Sequence, residues 1–265
     1  MPGDHTADPA ELLALAERLA GAAAAELRNR PEHLQADAKS TPTDAVTVMD
    51  RRAEQLILAG LKSERPHDRV VAEESGDNDR DADVTWYVDP LDGTVNYLYG
   101  IPQYAVSIAA AIGPEIVAGV VVDVARDETY AAVRGHGAKR ARQPLRCTAQ
   151  TDPALALIGT GFAYSSAVRT EQAQVVAQLL PRVRDLRRFG SAALDLCAVA
   201  AGSLDAYYEQ GMHPWDWAAG TLIAREAGAR VDGLRGRPVG DAVMLAANPT
   251  LFERLHDLLV AAGAT

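Results

Sequence analysis

The 265-residue chain predicts an α+β fold. Two observations carry that prediction. Between residues 69 and 134 apolar runs of strand length follow one another with turn residues between them, and helices do not alternate regularly with these strands. Beyond about residue 150 the pattern changes, and strand-like and helix-like segments take turns. The first pattern argues against a doubly wound parallel sheet, whose strands need a helix at each crossover. No linker rich in Gly, Ser or Pro, no internal repeat and no low-complexity segment divides the chain, so residues 1–265 are expected as one unit with subdomains 1–150 and 151–265.

The elements follow in order. Asp8-Pro9-Ala10-Glu11 reads as an acidic N-cap, a proline at the first helical position and a glutamate placed to close a capping box. The helix it opens carries Leu12, Leu15, Leu19, Ala23 and Leu27 at helical spacing and should run to about Arg30, before Pro31. From Lys39 to Met49 the chain reads as a loop or extended hairpin. A second helix from Asp50 to Lys62 presents Ala53, Leu56, Ile57, Leu58 and Leu61. Strands are expected at 69–73, 84–89, 104–112, 115–124 and 128–134, the last three joined as an antiparallel meander by Gly-Pro and Arg-Asp turns. The second half reads as strand 155–161, helix 170–180, strand 184–188, helix 191–201, strand 204–209, helix 215–227, strand 243–247 and a last helix from Pro249.

Composition narrows the function. Lys plus Arg is 26 against 36 for Asp plus Glu, a net charge of -10 that disfavours broad nonspecific nucleic-acid binding while leaving a local basic patch open. Two cysteines, Cys147 and Cys197, are too few for a disulfide framework, and Cys197 lies among apolar neighbours, which fits a reducing, cytoplasmic setting. No signal peptide is visible and no apolar run approaches the ~20 residues of a membrane span.

The run Asp89-Pro90-Leu91-Asp92-Gly93-Thr94 follows the apolar strand Val84-Thr85-Trp86-Tyr87-Val88 and sets two carboxylates and a hydroxyl together at its end. On a continuing strand, carboxylates three residues apart face opposite ways; Pro90 and Gly93 are expected to turn the chain so that both converge. Asp-Pro and Asp-Gly are also ordinary turn dipeptides. Two further acidic segments decide the matter: Val70-Val71-Ala72-Glu73-Glu74-Ser75-Gly76, a strand running into paired glutamates, and His213-Pro214-Trp215-Asp216-Trp217, an aspartate at a helix start. Singly, the glutamates read as a solvated turn and Asp216 as an N-terminal helix acid. Together they suit a pair of hard cations, with carboxylate donors and no His or Cys constellation, which points to Mg²⁺ or Mn²⁺ rather than zinc.

This combination resembles the inositol monophosphatase family of metal-dependent sugar phosphatases. The matching text is Glu73-Glu74-Ser75, the 89–94 run continued by Val95-Asn96, and Trp215-Asp216 with Ala218-Ala219-Gly220. Lys39-Ser40-Thr41-Pro42-Thr43-Asp44 with Val46-Thr47 and Asp50, Gly190-Ser191-Ala192-Ala193-Leu194-Asp195, and Asp205-Ala206-Tyr207-Tyr208-Glu209 extend it. The resemblance implies a layered αβαβα sandwich with the site between the halves, and a homodimer. It implies one Mg²⁺ held by Glu73, Asp89 and the Leu91 carbonyl, a second held by Asp89, Asp92 and Asp216, and room for a third, weaker ion near Glu73. Thr94, hydrogen-bonded to Asp50, would orient the attacking water, and a second water would protonate the leaving oxygen. The Gly93 and Thr94 amides would take phosphoryl oxygens. Glu209, Asp216 and the Gly190-Ser191-Ala192 segment would line the alcohol pocket. Leu91 and Ser191 stand where relatives often carry isoleucine and threonine.

The expected substrate is inositol monophosphate, with lithium inhibition implied by the resemblance. The alternatives are another small phosphate monoester (histidinol phosphate, fructose 1,6-bisphosphate, NADP or a nucleotide 3′-phosphate) or a regulatory protein that binds transcription machinery. His213 reads as a structural histidine without a ligand partner at metal spacing, Trp215 and Trp217 as packing residues, and Arg182, Arg184, Arg187 and Arg188 as a wet strand face.

Overall fold

The computed structural model describes residues 7–39, 45–240 and 243–264. Seven helices and fifteen strands among these residues stack in five layers. In the outermost layer lie α1 (Pro9–Arg28) and α2 (Val48–Glu64). Asp8 caps α1 by accepting from the Ala10 amide at 2.9 Å, and Leu12, Leu15, Ala23 and Leu27 face inward. In α2, Ala53, Ile57 and Leu61 are buried, whereas Leu56 points out at 43% exposure, off the core stripe predicted for it.

Beneath them is an eight-stranded sheet built from β3 (Arg69–Ala72), β4 (Gly76–Asp77), β5 (Val84–Asp92), β6 (Ala105–Ile112), β7 (Glu115–Asp123), β8 (Glu128–Val133), β9 (Ala138–Arg140) and β10 (Gln143–Pro144). Its order is β10-β9-β8-β7-β6-β5-β3-β4, antiparallel throughout except for β3 against β5. The predicted meander is β6-β7-β8. The sheet's other face packs on α5 (Ala192–Ala200) and α6 (Pro214–Glu226), through Ala105, Ala109 and Val121 against Ala193, Ala218 and Ala219. These alanines let helix and sheet approach closely, and at Gly119 a Cβ would lie 3.0 Å from the Ala219 Cα.

A five-stranded sheet forms the fourth layer: β11 (Leu157–Thr160), β12 (Asp185–Arg187), β13 (Ala206–Glu209), β14 (Arg230–Gly233) and β15 (Met244–Ala247), in the order β12-β11-β13-β15-β14. On its far side lie α4 (Ser166–Leu179) and α7 (Pro249–Ala261), whose Leu251, Phe252, Leu255 and Leu259 complete a separate core. The order is thus α, β, α, β, α, and the predicted α+β layering holds.

Several elements differ from the sequence reading. The 39–49 hairpin is a short antiparallel pair, β1 (Ala36–Ala38) with β2 (Ala45–Thr47); its tip, Ser40 to Asp44, lies outside the described residues. Strands β4, β9, β10 and β14 were not predicted, being only two to four residues long. The six-residue α3 (Thr94–Tyr99), directly after β5, was not predicted either. Among the described residues no helix is long and apolar enough to cross a membrane.

Candidate active site

Strand β5 does not end at Asp89. It continues through Pro90 to Asp92 and changes its facing on the way: Asp89 pairs with Ser107 and Asp92 with Ala105, so three steps on β5 match two on β6. The extra residue is a bulge, and it corrects the expected Pro90 turn. By shifting the alternation by one, the bulge brings carboxylates three residues apart to the same side. Pro90 causes no conflict there, because a bulge is where a missing amide donor is tolerated.

Gly93 then turns the chain into α3 with φ +92°. A Cβ on it would lie 2.8 Å from the Gln103 carbonyl and 3.2 Å from the Gly190 carbonyl, so backbone meets backbone at this point. Gly190 is also left-handed, at φ +91°. Asn96 in α3 donates to the Gln103 and Phe189 carbonyls, both at 2.8 Å, fastening the two halves of the molecule across this seam.

Asp50 is fully buried in the first turn of α2. Its Oδ2 accepts from the Thr47 amide at 2.8 Å and the Thr47 hydroxyl at 2.5 Å, while Oδ1 accepts from the Thr94 hydroxyl at 2.8 Å. Thr94 Oγ1 also lies 3.0 Å from the Leu91 carbonyl. The Leu91 side chain is wholly buried in the first core, which fixes where that carbonyl points.

Four more carboxyl groups gather around this pair. Asp89, buried, accepts from the Leu91 amide at 3.0 Å. Asp92 Oδ2 accepts from the Ser191 hydroxyl at 2.5 Å and the Ala193 amide at 2.8 Å, at the start of α5. Asp216, in the first turn of α6, accepts from the His213 amide at 2.7 Å. Glu73 follows β3, is held by its amide on the Val88 carbonyl at 3.1 Å, and accepts from Lys39 Nζ at 2.8 Å; the same ammonium bonds Glu74.

Burial raises the proton affinity of all four, and repulsion from neighbouring carboxylates adds to it at Asp89 and Asp216. Asp89 is held well above the usual range by burial and by the Glu73, Asp92 and Asp216 charges. Asp216 is likewise raised well above, by burial and then by Asp92, Glu73 and Glu209, against the His213 amide. Asp92 is pushed up to about 6 by burial, with the Ser191 hydroxyl and the Ala193 amide opposing. Glu73 is raised by burial against the pull of Lys39. Such a group of acids is short of positive charge, and Lys39 supplies it at one edge only.

Among the described residues, no three Asp, Glu, His or Cys side chains stand drawn around one point as a finished metal centre. Instead the Glu73 and Asp89 carboxyls share a hydrogen bond, Glu73 also accepts from Lys39, and Asp92 and Asp216 turn to hydroxyl and amide donors. The donor set is nonetheless all oxygen, and the Lys39 ammonium already occupies a cation's place between Glu73 and Glu74. These residues fit hard divalent cations.

Across the seam, Glu209 ends β13 and accepts from the Tyr207 hydroxyl. Burial pushes it up to about 7, with Tyr207 and Arg188 opposing. Ser191 caps α5, accepting from the Leu194 amide at 3.3 Å, and Ala192 opens the helix. His213 is exposed and stacks on Trp215, rings 4.8 Å apart, in keeping with a structural role.

Three residues near the site were missed. Tyr207 precedes Glu209 by two on one strand, hence on one face, and that spacing was available in the sequence. Arg188 had been grouped with a wet strand face; its guanidinium instead packs over Gly190 and its charge acts on Asp92 and Glu209. Arg187 does pair with Asp185 as a strand-face residue would. Asp195, on α5, has a buried Oδ1 without a hydrogen bond among the described residues and feels the charges of Glu209 and Asp92.

The profile of the Inositol monophosphatase family matches residues 8–264. The inositol-1-monophosphatase SuhB of Mycobacterium tuberculosis is 48% identical over 272 residues, covering 94% of this chain and 93% of the relative. The Nus factor SuhB of Pasteurella multocida is 41% identical over 223 residues, 83% of each chain. The crystal structure of extragenic suppressor protein suhB from Bartonella henselae superposes with a TM-score of 0.88 at 35% identity, covering 94% of this chain and 98% of that one. The chain belongs to the inositol monophosphatase family.

Proposed function

We propose that this protein hydrolyses inositol monophosphate to inositol and phosphate in the cytoplasm, with Mg²⁺ as its cofactor and Mn²⁺ as a substitute. The observation that carries the reading is the buried Thr94–Asp50 pair at 2.8 Å beside an all-oxygen donor set. Glu73, Asp89 and the Leu91 carbonyl would hold one cation, Asp89, Asp92 and Asp216 a second, and the Glu73 edge a third, weaker one. The bound cations would lower the pKa of the attacking water and offset the charge of the phosphoryl group and leaving oxygen.

The chain's own groups do the rest. Asp50 has Oδ2 engaged by Thr47, so its Oδ1 fixes the Thr94 hydroxyl as donor and leaves a Thr94 lone pair to accept a hydrogen bond from the attacking water; as that water gives its proton to Thr94, the Thr94 proton passes to Asp50 Oδ1. The Gly93 and Thr94 amides take phosphoryl oxygens, which the absence of a Gly93 side chain permits. Glu209 and Asp216 accept from substrate hydroxyls, and Gly190, Ser191 and Ala192 form the opposite wall. Residues 1–150 and 151–265 act as one unit, since Asp92 from the first half bonds Ser191 and Ala193 in the second.

The test is phosphate release from inositol 1-phosphate, histidinol phosphate, fructose 1,6-bisphosphate, NADP and adenosine 3′,5′-bisphosphate, with Mg²⁺ and then with chelator. Chelator-sensitive preference for inositol 1-phosphate is expected, together with inhibition by lithium; preference for another ester keeps the site and changes the substrate. A second reading, a regulatory partner of the transcription machinery, is favoured by the 41% identity to a Nus factor. A specific partner retained by an inactive Asp89→Asn variant in pull-downs would support it. Exposed Tyr99, Ile101 and Phe189 beside the seam suit the homodimer, which sedimentation would detect.

A further inference from the structure

A cavity of about 250 Å³ opens between the C-terminal end of α2 and the β3–β4 hairpin. None of the residues assigned above to catalysis, metal or substrate lines it. Its walls divide by chemistry. Leu58, Leu61 and Val70 make an apolar side, and Lys62, Arg65 and Arg80 bring three cations to the other.

The acids in the wall are already matched. Asp68 accepts from Arg65 at 2.7 and 3.1 Å and from the Trp86 indole at 2.8 Å, and Asp77 is paired with Arg69. Glu64, next along α2, is turned to Arg18 at 2.7 Å. Lys62 has no side-chain hydrogen bond or ion pair among the described residues, and the Arg80 guanidinium bonds only the Pro66 carbonyl there. Three cations, Lys62, Arg65 and Arg80, therefore line one cavity with Asp68 and Asp77, each of which already has an arginine partner, on a chain whose net charge is -10.

We propose that this cavity binds a small organic anion, with a phosphate or phosphonate head on Lys62 and Arg80 and an apolar body against Leu58, Leu61 and Val70. Cations with free donors beside an apolar wall recognise that combination, the head by charge-assisted hydrogen bonds and the body by burial. The floor is Ser75 and Gly76, directly after Glu74, whose amide donates to Glu54 at 2.9 Å and whose carboxylate bonds Lys39. An occupant thus rests on the turn that carries Glu73. The proposal stands apart from the reaction proposed above.

The chain has three tryptophans, and they separate the two sites. The Trp86 indole bonds Asp68 in the cavity wall, whereas Trp215 and Trp217 lie on α6 beside the cleft. The experiment titrates phenylphosphonate, which the enzyme cannot hydrolyse, into the ¹⁵N-labelled full chain in chelator, following indole N–H signals assigned by Trp86→Phe. The Trp86 signal should move and saturate. Reversing charge at the exposed positions in Lys62→Glu/Arg80→Glu should raise Kd at least about tenfold, as loss of charge-assisted bonds demands, and Lys62→Ala alone should raise it about threefold. A stationary Trp86 signal, movement confined to Trp215 and Trp217, or an unchanged Kd in both variants overturns the proposal.

Discussion

The two walls of the cleft are built differently. The wall from the first half carries Asp50, Glu73, Asp89, Asp92 and Thr94, most of them in or beside one bulged strand, with Asp50 at 0% and Asp89 at 2% exposure. The wall from the second half carries Glu209, Ser191 and Asp216 on three separate elements, β13, α5 and α6, and meets the first through the Asp92 bonds and Asn96. Reacting groups are thus fixed by local backbone geometry, and recognising groups by how layers pack. On the proposed reading, changes in the first wall and at Asp216 should abolish chemistry, while changes at Glu209 and Ser191 should retune selectivity.

The sharpest way to break this contrast is Asp89→Asn, which should lose turnover on the order of a thousandfold together with Mg²⁺ affinity, the scale set by metal-supplied stabilisation. Phosphate release and Mg²⁺ calorimetry read the two effects, and near-normal turnover would remove the bridging role. Next, Thr94→Ala should keep Mg²⁺ affinity while kcat falls on the order of a hundredfold or more, as loss of a proton acceptor predicts; parallel loss of metal would make Thr94 a support of the Leu91 carbonyl instead.

In the second wall, Glu209→Ala should lower kcat/KM for inositol 1-phosphate about tenfold to a hundredfold, the loss of a charged hydrogen bond. Hydrolysis of a generic phosphate ester should change far less, and equal losses on both would erase the distinction between the walls.

The smallest effect concerns pH. Glu209 is raised from 4.5 to about 7 in the fold, so its charged form is disfavoured there. Its contribution to folding is therefore most favourable below about pH 4.5 and declines as pH climbs to about 7. In chelator, Glu209→Gln should raise Tm by a few degrees at pH 8 and leave it unchanged near pH 4.5. Equal shifts in calorimetry at both pH values would count against a buried, repelled carboxyl.

Much of the first wall was legible because its groups are close in sequence, the 89–94 run and Glu73 after an apolar strand; in the second wall Asp216 stands at a helix start as expected. What escaped was the means. Pro90 looked like a turn because proline seldom sits inside a strand, and only the pairing partners Ser107 and Ala105 reveal a bulge. Asp50 reads locally only as part of a helix start; its partner Thr94 lies 44 positions away. The second wall was less legible, since Arg188 and Asp195 gain their neighbours only when β13 and α5 pack together. Short edge strands such as β4 and β10 carry two residues each, too few for any alternation to register.

The seam where Gly93 faces Gly190 has a bearing on how such a chain can diversify. Neither position has a side chain to exchange, and a methyl on Gly93 would collide with two carbonyls. The width of the cleft is thereby set by peptide planes rather than by residues that drift. On the proposed reading, a preference for a new alcohol would be set at the end of β13 and the start of α5, where side chains stand, while the gap between the walls is held by main chain.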